Sequence, residues 1–400
     1  MKRLWNDRRG NAILIAGAAM PLIVGAAGLA TDTIQWVVWK RELQRAADSA
    51  AYAGVYAISQ DQSVDEAVDT DLDNNDKTGI TLLSTYPQIE YPTSGSWSNG
   101  VKVTLGIRKT LGFSSLFMSA APTIIASGTA AMVDDGEFCL VALKKSGGAA
   151  ITMQGSSTAN MGCGGISNSN ANPAVATNGG AYNFIAPVVA GAGTLPDSIN
   201  GVDELQPHHM PIPDPFAGKY PTDIPAGSNC NKKANADSLS PGCYSEFKFT
   251  GNKTYTLAPG VYYLDSTDFD VAGGTTVVGD GVTIILTGAD PGSMKTNGNS
   301  TIQLIAPTSG TYEDMLFIQS PNAEVDNGNN INGSNTSNYD GAMYFPNGEV
   351  EFTGSSGAMT KCAMVVGYTV SFSGNTNLQN NTVGCKANKT VQAVVVRLVA

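Results

Sequence analysis

The sequence predicts a mixed fold. An N-terminal transmembrane helix extends into a small α+β domain, and a β-rich C-terminal domain follows, built as a right-handed parallel β-helix or β-solenoid. Three observations carry this expectation. Asn11 to Thr31 holds no charged side chain, and the helix-compatible pattern continues past it. Only 14% of the 400 residues are charged and 45 are glycine, which suits short strands between turns better than a helical bundle. From Thr254 onward, short apolar runs recur at steps of about twenty residues, the length one coil of a solenoid requires.

The expected organisation follows these textures. Residues 1–10 form a cytoplasmic basic segment, 11–31 the transmembrane helix and 32–60 an amphipathic extension. A small α+β domain occupies 61–138, a Gly/Asn/Ser-rich β region with a linker 139–250, and the solenoid-like domain 251–400. The formal net charge of −11 disfavours nucleic acid as a partner, because little offsets phosphate repulsion outside the N-terminal cluster. Six cysteines fall into three sequence-local couples, Cys139 with Cys163, Cys230 with Cys243, and Cys362 with Cys385. No C-x-x-C and no zinc-type spacing occurs, so they read as disulfides formed outside the cytosol, with six buried thiols as the competing reading.

The 21 residues from Asn11 to Thr31 would span about 30 Å as a helix, the thickness of a bilayer hydrocarbon core. Lys2, Arg3, Arg8 and Arg9 precede the run and Asp32 follows it, which places the N-terminus in the cytoplasm and the bulk outside. Lys40, Arg41 and Arg45 run against that bias. Gly28-Leu29-Ala30 offers a small-x-small cleavage site. Helical periodicity nevertheless persists through Ile34, Val37, Val38 and Arg41 into a stripe of Leu43, Ala46, Ala47, Ala50, Ala51 and Ala53. The segment therefore reads as a retained anchor continuing into a protruding helix, and its small residues suit close helix packing.

This stretch resembles the N-terminal module of the TadE/TadG-like proteins of the Tad (Flp, tight adherence) pilus assembly system. The resemblance rests on Arg8, Arg9 and Gly10 before the apolar run, Pro21 within it, and the exit from Gly28 to Asp32. It also rests on "LQRAADSAA", with Leu43, Ala46, Ala47, Asp48, Ala50 and Ala51. It implies a single-pass protein of the bacterial inner membrane whose partners are other pilus-assembly components and lipid, with cell-wall polysaccharide as a further candidate. Prepilins carry a Glu five residues after the cleaved Gly; here that position is Ile15, so the chain looks more like the unprocessed TadG-like branch.

In the middle of the chain, "DLDNNDKTG" resembles half of a calcium loop through Asp71, Asp73, Asn75 and Lys77. Gly79 comes too late for the required turn, so a solvated loop is expected and no metal site. Val101 to Ile107 alternates as a strand, "LGFSSLF" forms an apolar turn, and Thr123 to Val133 is a second extended run. The same unit follows the anchor helix in TadE/TadG-like proteins.

Beyond Val133, His208 and His209 sit in "PHHMPIPDPFAG" without a predictable third ligand, so that stretch reads as a linker. Asparagines 327, 329, 330 and 332 suit turns or ladders of a solenoid, while an antiparallel sandwich would present similar strands. Asp265, Asp268, Asp270 and Asp280 are the carboxylates a polysaccharide-cleaving β-helix would use. Arg397 is the sole arginine after Arg108, which weakens a lyase-like site. The expectation is a structural pilus-assembly protein rather than an enzyme, with no catalytic residue and no cofactor. A membrane-tethered β-helix that binds or cleaves polysaccharide is the alternative.

Overall fold

A computed structural model describes residues 9–60, 62–75, 81–95, 97–225, 230–332, 337–354, 357–381 and 391–399. The chain divides into two compact units, Met1–Asp134 with Val395–Ala400, and Asp135–Val394.

In the first unit, helix α1 runs without interruption over Arg9–Ser59. Pro21 lies inside it; a missing N–H is tolerated there, in a long Ala-rich helix with no other proline. Helix α2 (Val64–Asn75) occupies the segment expected to be a solvated loop. The Ser63 hydroxyl accepts the Glu66 N–H at its start, and Asp65 and Glu66 lie in its first turn, where negative charge suits the helix dipole. Val68 is buried, anchoring the helix. Lys77 and Gly79 lie outside the described residues.

Strands β1 (Gln88–Glu90), β2 (Ser98–Arg108) and β3 (Thr123–Ala142) follow, β2 pairing antiparallel with both β1 and β3. Val101, Val103, Leu105 and Ile107 of β2 are buried, as their alternation requires. The turn between β2 and β3 contains a single 3₁₀ turn at Ser114–Leu116. At the other end of the chain, the Val399 N–H bonds to the Thr129 carbonyl.

The second unit is rich in parallel strands, arranged in three runs. In one, Thr254–Leu257 pairs with Thr276–Asp280, then Thr301–Ile305, Ser337–Asp340, Gly357–Lys361 and Asn377–Asn381. In the second, Gly242–Glu246, Gly260–Asp265, Val282–Thr287, Met315–Gln319, Ala342–Phe352 and Val365–Phe372 pair in that order. In the third, Lys248–Phe249, Phe269–Val271, Met294–Thr296 and Asn327–Ile331 lead to the far half of Ala342–Phe352. All these pairings are parallel.

Paired residues stand 20 apart at Gly357 and Asn377, 22 at Tyr262 and Ile284, 25 at Val277 and Ile302, and 33 at Ile284 and Phe317. Of the sequence steps of about twenty residues, Val261 to Val282 joins neighbouring strands of one run, whereas Val282 and Ile302 belong to separate ones.

Spatial order departs from chain order at one place. Val365–Phe372 pairs with Leu140–Ala142 and Ile151–Met153, and Asn377–Gln379 pairs with Thr158–Asn160. Residues 140–207 thus continue the stack beyond residue 381. The apolar interior joins both parts, with Phe184 packed on Phe372 and Phe372 stacked on Phe352. Along the rest of that interior, Phe247, Phe269, Phe317 and Phe345 follow one another with ring centroids 5.3 to 6.3 Å apart.

The Pro-rich stretch read as a linker is a strap across the outer face of the second run. Asn168 clasps Ile212, accepting its N–H at 2.9 Å and donating to its carbonyl at 2.8 Å. The Tyr344 hydroxyl then bonds Asp214 and Tyr220 meets Thr287, both at 2.6 Å. Alternating prolines keep this segment extended without needing partners for missing N–H groups. His209 is buried beside Phe138, its Nδ1 against the Met210 carbonyl. The disulfides Cys139–Cys163 and Cys230–Cys243 have Cα atoms 5.8 and 4.5 Å apart. Cys362 is also disulfide-bonded, while Cys385 lies outside the described residues.

Candidate membrane and assembly module

Helix α1 changes character along its length. Ile15, Met20, Leu22, Ile23, Val24, Leu29 and Ile34 are exposed apolar side chains, Ile15 to 69%. From Leu43 onward, Leu43, Ala47, Ala50, Ala51 and Val55 are fully buried. The helix is long and apolar enough to cross a membrane in its first part, and its second part is the core of a folded unit.

Small residues make the second part possible. A Cβ on Gly128 of β3 would stand 2.7 Å from the backbone N and Cα of Asp48, so helix and strand meet main chain to main chain. A Cβ on Gly54 would meet Val101 of β2 at 2.8 Å and Val64 of α2 at 3.2 Å. Polar side chains one helical turn apart bind the strand beside this contact. Lys40 donates to the Ile125 carbonyl, and Gln44 donates to the Ser127 carbonyl at 2.7 Å and to Asp48 at 2.9 Å. Ser49 donates to Asp71 of α2 at 3.0 Å.

Near the end of the uncharged run, Gly28 and Asp32 hold the turn between β2 and β3. Asp32 is buried, and its carboxylate accepts the N–H groups of Phe113, at 2.9 Å, and Ser114 at the start of the 3₁₀ turn. Burial pushes this carboxyl up, but the hydrogen bonds from Ser114, Phe113 and Gly112 outweigh it and hold the group below the usual carboxylate range. One turn earlier, Gly28 leaves room for the Phe113 ring; a Cβ there would lie 2.3 Å from it. The Gly-x-x-x-Asp exit and the "GFSSLF" turn, separate features in the sequence, form one latch. The four-residue spacing puts Gly28 and Asp32 on one face, which is the signal that a single partner serves both.

The other sequence-singled residues distribute as follows. Gly10 and Arg9 lie in the first turn of α1, Pro21 is exposed, and Ala46 and Asp48 are half-buried; Arg8 lies outside the described residues. Ala46 lines a cleft with Leu43, Leu72, Leu82 and Leu105. In the second unit, Asp270 lies in the strand Phe269–Val271 and Asp268 immediately precedes it; they pair with Lys248 and Lys295 respectively, each at 2.6 Å. Asp265 accepts the hydroxyl of its neighbour Ser266 at 3.2 Å. Among the described residues, no cluster of three or more His, Cys, Asp or Glu side chains has metal-binding geometry.

No curated protein and no solved structure matches this chain. The family model for Flp pilus-assembly TadE/G-like proteins matches residues 10–57, which ends within one turn of the end of α1. Over those residues the first helix is similar to the TadE/G-like proteins of Flp pilus assembly.

Proposed function

We propose that this protein is a membrane-anchored structural component of Tad/Flp-type pilus assembly that projects a disulfide-stapled β region outside the inner membrane. The carrying observation is that the TadE/G-like match covers the helix that is apolar and exposed in one half and docked in the other. Disulfides in the second unit support an extracytoplasmic location for the bulk of the chain. The N-terminus then lies in the cytoplasm, as the basic residues before the apolar run favour.

The β region reads as a parallel β-helical solenoid. Supporting this, each strand of the three parallel runs generally pairs with the third strand further along the chain, which is how successive three-sided coils stack. Such a rigid rod suits a scaffold or adhesive projection. A polysaccharide-cleaving role finds less support. Burial pushes Asp268 up, but Lys295 and the Ser293 N–H outweigh it and hold its carboxyl low, opposite to what a general acid needs.

Replacing residues 11–31 with an unrelated transmembrane helix keeps the anchor and removes the matched apolar sequence. Crosslinked envelopes should then yield pilus-assembly components with the intact chain and not with the exchanged one. Equal recovery with both would overturn the assembly role of this helix.

A further inference from the structure

The latch at Gly28 and Asp32 fixes the depth of the turn that it holds. Gly28 lies three residues before the end of the uncharged run at Thr31, so the Phe113 ring packed on it sits about 5 Å inside that boundary. The Phe117 ring lies 5.4 Å from the Phe113 ring. On the outer side of this pair the turn offers apolar side chains to its surroundings: Phe117 itself is 78% exposed, Leu116 74% and Met118 47%. Three adjacent large apolar side chains this exposed are uncommon on a surface facing water.

The chain around them has no charge from Thr110 to Val133, while Arg108 and Lys109 immediately precede it. On the helix, Trp36 is exposed one turn beyond Asp32, in the position of an interfacial aromatic. Lys40, which ran against the charge bias, is occupied with the Ile125 carbonyl of the same unit.

Resting on the reading of α1 as a membrane anchor, we infer that Leu116, Phe117 and Met118 form a second membrane contact. This wedge enters the outer interface of the bilayer beside the helix exit, and the occupant of the exposed patch is lipid. The depth set by Gly28 agrees with the 5–10 Å typical of interfacial apolar segments. Two contacts held together by the Asp32 carboxylate would fix the orientation of the first unit on the membrane, which a single helix followed by a free hinge does not.

The test places an environment-sensitive fluorescent amino acid singly at positions 117, 24 and 91 of the full chain, reconstituted in phosphatidylethanolamine–phosphatidylglycerol vesicles with spin-labelled lipid as quencher. Position 24 reports the anchor, and position 91 replaces Tyr91, an exposed side chain on the same unit. The expected result is lipid quenching and a blue shift at 117 several-fold stronger than at 91, approaching the values at 24. Quenching at 24 with a water-exposed signal at 117 overturns the wedge and leaves the anchor. A blue shift at 117 without lipid quenching assigns the patch to protein contact and also overturns it. An aqueous signal at both 24 and 117 overturns the anchor, and the wedge with it.

Discussion

The carboxylate of Asp32 accepts the backbone N–H of Phe113 at 2.9 Å, across 81 residues of chain. The bond ties the exit of the apolar helix to the turn between β2 and β3. Asp32→Ala leaves the Phe113 and Ser114 N–H groups without that acceptor. Hydrogen exchange at those two amides should speed up by on the order of tenfold, with the β2–β3 pairing little changed. Unchanged exchange would show that the latch does not hold the turn.

Gly128 has no room for a side chain, because Asp48 main-chain atoms lie where its Cβ would go. Gly128→Ala must push α1 off the sheet, at a cost of about 1–3 kcal/mol. Ser127→Ala, one residue away and exposed, is the control, since it keeps the carbonyl that Gln44 uses. Thermal unfolding of the full chain in detergent should separate the two variants.

The helix, its extent past the apolar run and the β2–turn–β3 unit were legible in the sequence, because each has a strong local period. Val101 to Ile107 alternates, and the Leu43 to Ala53 stripe repeats with helical spacing. What the stripe faces was not legible: Ala47 and Ala50 are buried within their own unit, and nothing local distinguishes that from an intermolecular face. Helix α2 is not legible locally because its acidic residues dominate its composition, while its cap at Ser63 and single buried Val68 are quiet signals. The placement of residues 140–207 after residue 381 depends on long-range pairing, which no periodicity encodes.

Asp268 is held low by Lys295 and Ser293, so the sign of its pH effect follows. Its contribution is complete above the usual value of 3.8 and is lost as pH falls through the lower value it has when folded. The pair is partly exposed, so Asp268→Asn should cost under about 1 kcal/mol at neutral pH. In acid, well below 3.8, the variant and parent should converge. Denaturant titrations at both pH values check this; a difference that grows in acid would reverse the assignment.

Asn380 joins the two parts of the stack that are out of chain order. Its side chain donates to the Met161 and Ala363 carbonyls, both at 3.1 Å, and accepts from the Ala363 N–H and the Thr360 hydroxyl. Asn380→Ala strands these buried groups and should cost about 1–3 kcal/mol. Asn380→Asp should cost more, since a carboxylate would face two carbonyl oxygens. If both variants unfold like the parent in urea, residues 140–207 do not stack on residue 381.

The strap from Pro207 to Pro225 is held at spaced points rather than by a continuous ladder, so its attachments can be removed one at a time. Tyr344→Phe deletes the hydroxyl that donates to Asp214 and leaves the ring against Phe216, whose centroid is 5.5 Å away. The loss should be about 1–2 kcal/mol and local. Replacing both Cys230 and Cys243 with serine frees the end of the strap and relaxes the unfolded chain, at about 2–4 kcal/mol. Limited proteolysis reads the difference. Tyr344→Phe should admit cleavage in the Pro207–Pro225 segment while the parallel strands stay protected. The double serine variant should add cleavage towards Lys232 and lower the unfolding temperature of the unit as a whole. Should Tyr344→Phe stay as resistant as the parent, the Asn168 clasp on Ile212 and the Tyr220–Thr287 bond suffice to hold the strap.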